Sequence, residues 1–261
     1  MIRAMQQSKK VNKVYVEQGS NEPGSFEPCL LGRNEGEMER TRLKDRDLPF
    51  YTRGEEIFNM VSHIVGGALA VAALVLCVVC SALKGDPWSV VASAIYGAMM
   101  VILYTMSSIY HGLTSEFAKK VFQVIDHCTI YFLIAGTYTP ITLAGLRVEH
   151  PVIGFVVFGI VWACCLVAAT LTAIDLEKYK RLSMICYLGM GWCIVFFIKP
   201  TAELLGLGGM VYLLTGGIAY TIGAVLYGVG KRKKYMHSLF HLFVIAGSVL
   251  HFFMILFYVI L

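Results

Sequence analysis

Seven stretches of this chain each run close to the ~20 apolar residues that a helix needs to cross a bilayer. They cover residues 57–83, 88–113, 121–143, 152–174, 182–198, 209–229 and 238–261. Water is absent from the bilayer core, so backbone N–H and C=O groups must pair within the stretch, and an α-helix achieves this. The pattern predicts an all-α integral membrane protein, with seven transmembrane helices in a domain over residues 51–261. Charge content agrees: 15% of the chain is Asp, Glu, Lys or Arg, against ~25% in soluble domains. Small residues inside the runs, such as Gly66, Gly136, Gly189 and Gly217, suit close helix packing. Pro140 lacks an amide hydrogen and is expected to bend or end the third helix.

Residues 1–50 have a different character. They are polar, mixed in charge and dotted with Gly and Pro, which predicts a mostly disordered tail with a short surface helix over 39–46. This stretch lacks the apolar core of a cleavable signal, so the first apolar run is expected to direct insertion. Of the 8 cysteines, all but Cys29 lie in apolar runs, where a thiol acts as a small apolar filler. Cys77 and Cys80 have the spacing of a redox pair, but inside a spanning helix the filler reading is favoured.

The basic residues set an orientation. Ten of the 22 Lys and Arg lie in residues 1–56. Lys119 and Lys120, then Lys178, Lys180 and Arg181, then Lys231 to Lys234 mark alternate connectors, while the remaining three connectors hold only Lys84, Arg147 and Lys199. Basic connectors stay on the cytoplasmic side. The amino terminus is therefore expected in the cytoplasm and the carboxyl terminus outside the cell membrane. Net charge is +5, yet these residues sit in short loops beside the headgroups. Anionic lipid explains them, and nucleic acid does not enter.

Ionisable groups inside spans are costly and point to function. In this topology His111, Asp126, His237 and His241 fall at one depth, near the cytoplasmic face, while His251 lies deeper. His237 and His241 are spaced i, i+4 and share a helix face. Such a pair could hold one metal ion, and His111 would complete the three-ligand open site of catalytic zinc. Ser107, one turn from His111, could hold a water or a substrate oxygen. Asp126 could act as general base. The alternative is a set of interfacial histidines that snorkel or cap helices. Glu56, Asn59 and His63 could orient a ligand from behind or serve as interhelical hydrogen bonds. His127 points away from Asp126 and reads as packing. Asp175 and Glu177 read as solvated loop charges.

Four stretches carry a resemblance: residues 55–63 (EEIFNMVSH), 107–111 (SSIYH), 126–140 (DHCTIYFLIAGTYTP) and 237–241 (HSLFH). Together they resemble the hemolysin III branch of the progestin and adipoQ receptor family, over the whole membrane part. The resemblance implies a zinc ion near the cytoplasmic face, held by His111, His237 and His241, with Asp126 and Ser107 beside its water. The wider superfamily includes alkaline ceramidases, which implies a zinc-dependent hydrolase of lipid amides or esters. Ser238 departs from the pattern, because relatives often carry an acidic residue there; its side chain is expected to face away from the two histidines.

The leading expectation is hydrolysis of a membrane lipid whose acyl chain enters the helix cavity. A receptor or signalling protein with structural zinc is the alternative, with the basic loops binding partners. Direct cytolysis ranks below both, since the spans show no polar lumen. A proton-relay transporter is disfavoured by the lack of an internal repeat.

Overall fold

The computed structural model describes residues 40–230 and 233–261. Helix α1, Arg53–Lys84, starts at a capping box: the Thr52 hydroxyl accepts from the Glu55 amide, and the Glu55 carboxylate accepts from the Thr52 amide. It ends at Gly85, whose φ of 78° is the left-handed conformation that glycine adopts without strain. Asp86 then caps α2, Pro87–Gly112, by accepting from the Trp88 and Ser89 amides, with Pro87 at the first helical position. Two residues thus reverse the chain. The two helices pack closely: a Cβ placed on Gly97 would lie 2.7 Å from the Leu74 Cα.

Helix α3 begins at Glu116 and does not stop at Pro140. Its α-helical part is Glu116–Thr139, and a π-helical segment, Pro140–Leu146, carries it to Glu149. As expected, Pro140 ends the α-helical part, but the chain continues beyond it as a helix of wider turns. Pro140 cannot donate to the Gly136 carbonyl, and the chain continues past it in the wider turns of the π-helical segment, with Thr hydroxyls on either side bonding back to the preceding turn. Thr139 Oγ1 donates to Ala135 O, and Thr142 Oγ1 donates to Tyr138 O, each at 2.8 Å. This is also the most buried helix, and every residue from Pro140 to Leu146 is buried.

Helix α4, Pro151–Ile174, follows at once. Asp175 caps α5, Leu176–Trp192, which passes into a 3₁₀ segment, Cys193–Phe197. Helix α6, Ile198–Gly230, is broken at Gly206, where φ is 59° and ψ is −176°. Helix α7, Met236–Ile255, ends in a π-helical turn, Leu256–Ile260. Sequential helices contact one another and α7 returns to α1, so the bundle closes. Six helical stretches among the described residues are long and apolar enough to cross a membrane, the fifth being Leu176–Gly228, which contains both α5 and α6. Large apolar side chains such as Val61, Ile64, Val65 and Val75 face outward, as lipid contact requires. The protein is a multi-pass membrane protein.

The expected tail meets two outcomes. Residues 1–39 lie outside the described residues. Residues 40–50 are fixed against the bundle, with a 3₁₀ turn, Leu43–Asp45, where a short helix was expected. Arg46 is 5% exposed and donates from Nη2 to Gln123 Oε1 at 2.6 Å. The Thr41 amide donates to Asp175 Oδ2 at 2.8 Å. Asp175 is consequently buried and not a solvated loop charge, whereas Glu177 is exposed. Burial alone would raise the Asp175 carboxyl, but bonds from the Lys178 and Thr41 amides outweigh it and hold it below its ordinary value.

Candidate metal centre

The i, i+4 spacing on α7 aims His237 and His241 the same way, and the last turn of α2 brings His111 to meet them. The three imidazoles are 7%, 1% and 3% exposed respectively. His241 Nε2 lies 3.1 Å from His237 Nε2, which lies 3.4 Å from His111 Nε2. All three donor atoms fall within 4.8 Å of one another. Nitrogens at ~2.0–2.1 Å from one tetrahedral ion stand ~3.3–3.4 Å apart, and the two edges that meet at His237, 3.1 and 3.4 Å, lie close to that separation. The protonation pattern fits too. His111 Nδ1 lies 2.6 Å from Glu56 Oε2, and a carboxylate only accepts, so Nδ1 carries the proton. In the neutral ring that leaves Nε2 with its lone pair, facing Nε2 of His237. These three buried histidines are positioned to hold a metal ion.

Neighbouring rings fix the ligands. His63 stacks on His241 at 3.7 Å between centroids and 21° between planes, and Tyr51 stacks on His237 at 4.9 Å and 23°. Burial, with Tyr227 and Glu56 nearby, raises the Tyr51 phenol well above its ordinary value, so it stays protonated. Behind His111, Glu56 uses its other oxygen to accept from Lys119 Nζ at 2.5 Å. The sequence offered two roles for Glu56, Asn59 and His63, and the structure divides them. Glu56 bonds the His111 ring, Asn59 accepts from the Ser238 hydroxyl at 2.7 Å, and His63 supports His241 through its face. Ser238 thus turns toward α1, where a neutral hydrogen bond occupies the place expected for an acidic contact.

A cavity of about 140 Å³ adjoins the cluster. Ser107, Asp126, His63 and His237 line one end, while Thr137, Trp192, Tyr220 and His251 line the other. His237 and His251 are 14 residues apart on α7, which places the ends ~21 Å from each other. Between them the wall is largely apolar, with Leu133, Leu188 and Val244 among its residues. His251, expected to stand apart from the site, is outside the ligand trio but on the wall of the same cavity. Its Nε2 donates to Leu213 O at 3.1 Å. His127, expected to point away from Asp126 as packing, lines the cavity beside it with Nδ1 4.0 Å from Asp126 Oδ2; Nδ1 donates to Gln123 O at 2.7 Å and Nε2 accepts from the Tyr227 hydroxyl at 3.0 Å.

Sequence reasoning missed Tyr51 and Glu55. The Thr52-to-Glu55 spacing of a capping box was a readable signal for Glu55; Tyr51 carries none beyond its place ahead of the first span.

The profile of the family described as Haemolysin-III related matches residues 51–252. The chain is 36% identical to Hemolysin-3 of Bacillus cereus over 205 residues, 78% of this chain and 92% of that protein. It is 36% identical to the Hemolysin-3 homolog of Bacillus subtilis over 208 residues, 80% of this chain and 96% of that one. A more distant relative is the human Monocyte to macrophage differentiation factor, 26% identical over 205 residues, 76% of this chain and 79% of that protein. With its profile match over residues 51–252 and these relatives, the chain belongs to the Haemolysin-III related family, within the wider progestin and adipoQ receptor family.

Proposed function

We propose that this protein is a zinc-dependent hydrolase of a lipid amide or ester, working near the cytoplasmic face of the cell membrane. The observation that carries the reading is the convergence of three buried imidazole nitrogens at the end of a long apolar cavity that also presents Asp126 and Ser107. Zinc suits three neutral imidazoles, and when bound it supplies Lewis acidity and a nucleophile at neutral pH. Asp126, whose carboxylate is 15% exposed, takes the proton from the attacking water and returns it to the leaving amine or alcohol. The Ser107 hydroxyl donates to the substrate carbonyl oxygen as negative charge builds there. The apolar wall binds the acyl chain. Half of the ~30 Å hydrocarbon core is the reach of one leaflet's chains, and the cavity length matches or exceeds it.

The reading places seven crossings in the bundle, with the amino terminus in the cytoplasm. Purified protein is expected to hold about one zinc per chain and to lose it in the His237→Ala and His241→Ala variants. It is expected to release fatty acid from a ceramide-type amide or a lipid ester, and Asp126→Asn is expected to keep the zinc and lose turnover by ~10²–10⁴-fold. Full zinc in the histidine variants would remove the ligand assignment. Bound zinc with no turnover of any acyl amide or ester would leave a structural metal, as in a receptor.

A further inference from the structure

The face of α1 that carries residues 55, 59 and 63, spaced i, i+4 and i+8, forms a polar seam with α7. Each residue meets one partner there. Glu55 Oε1 accepts from the Tyr235 amide at 2.7 Å. Asn59 Oδ1 accepts from the Ser238 hydroxyl at 2.7 Å. His63 stacks on His241. The partners advance by three residues along α7 while the seam advances by four along α1, so the two helices are joined rung by rung. His237 lies between the first two rungs and His241 is the third.

The first rung differs from the others. Tyr235 is the sole non-glycine residue with positive φ among the described residues, at 61°, a region that side chains rarely occupy. It is the N-cap of α7 and makes no side-chain cap bond of its own. Its amide hydrogen is instead fixed by Glu55, whose carboxylate is 5% exposed as a residue and whose second oxygen accepts from the Thr52 amide and hydroxyl at 2.9 and 2.7 Å. The neighbouring Glu56 meanwhile bonds His111 of α2. Adjacent carboxylates at the start of one helix therefore engage the two other helices that carry the metal ligands.

We propose that Glu55 is a positioning residue for the metal centre: by fixing Tyr235 in its left-handed conformation, it sets the register of α7 and holds His237 and His241 opposite His111. The inference rests on the metal-binding reading above. It is distinct from the seam being simple packing, because it assigns the effect to one backbone conformation two residues before a ligand.

The test measures zinc affinity by chelator competition in the full-length protein and four variants, Glu55→Ala, Glu55→Gln, Tyr235→Gly and the double change Glu55→Ala with Tyr235→Gly. Glu55→Ala is expected to bind zinc ~10–100-fold more weakly. Glu55→Gln keeps an acceptor oxygen and is expected to stay within a few-fold of the parent. Glycine adopts positive φ freely, so Tyr235→Gly in the Glu55→Ala background is expected to recover most of the loss. An equal loss in Glu55→Ala with and without the glycine would overturn the backbone route, and so would undiminished affinity in Glu55→Ala. Amide exchange of Tyr235 in the unaltered protein gives a reading independent of how any variant folds: protection is expected, and exchange at the rate of an open loop overturns the proposal. If the unaltered protein holds no zinc, the metal reading itself fails and takes this inference with it.

Discussion

At the scale of single residues, the metal centre depends on how each imidazole is turned. A ligating histidine has two nitrogens, and its useful lone pair points at the metal only if the other nitrogen is engaged elsewhere. For His111 that engagement is Glu56, at 2.6 Å in a site where the histidine side chain is fully buried. Glu56→Ala is expected to weaken zinc binding by ~10–100-fold, measured by chelator competition. Lys119→Ala should change it far less, because Lys119 touches only the far oxygen of that carboxylate and is partly exposed. Equal effects of the two changes would mean that the ion pair, not the orientation of the ring, matters. Much of this residue scale was legible beforehand. The i, i+4 histidines and the depth of His111 follow from helix periodicity and topology alone. The Glu56–His111 bond joins residues 55 apart in sequence, and the rotation of α1 about its axis decides which of the two neighbouring carboxylates makes it. No periodicity within α1 records that rotation.

At the scale of helices, close packing sets which residues can be small and which must be. Gly97 of α2 presses on α1 so tightly that a Cβ there would stand 2.6 Å from the Leu74 Cβ. Gly159 of α4 has no atom within 4 Å of the same position. Gly97→Ala is expected to destabilise by ~1–3 kcal/mol through overpacking. Gly159→Ala should be neutral or stabilising by up to ~1 kcal/mol, from helix propensity. Thermal unfolding in detergent reads both, and a neutral Gly97→Ala would show that the α1–α2 contact yields. Reading the sequence for small residues suited to packing does not single out Gly97, because nothing local tells a helix-facing glycine from a lipid-facing one. Pro140 shows the same limit. Its missing donor was plain, but the π-helical segment that continues the chain beyond it lies wholly buried in the bundle, where no local pattern records it.

At the scale of the whole molecule, the threading of Leu176–Gly228 sets how many times the chain crosses the bilayer. As a single straight helix its 53 residues would extend ~80 Å at 1.5 Å per residue, more than twice the ~30 Å core. The chain has two breaks in that stretch, the 3₁₀ segment Cys193–Phe197 at the end of the fifth apolar run and the left-handed Gly206 in the gap between the fifth and sixth runs. A reversal near Gly206 gives seven crossings and sends the two ends of the stretch to the same side. Single cysteines placed at Lys178, Lys199 and Lys234 of a cysteine-depleted chain test this with a membrane-impermeant thiol reagent on intact cells. Position 199 is expected to react from outside, and positions 178 and 234 only after the membrane is opened. Reaction of all three from one side would mean that α5 and α6 do not both cross. Labelling of position 234 from outside would put the His111, His237 and His241 cluster on the outer face. A lipid hydrolase so inverted would draw its substrate from the outer leaflet, so the labelling result also decides which leaflet the cavity serves.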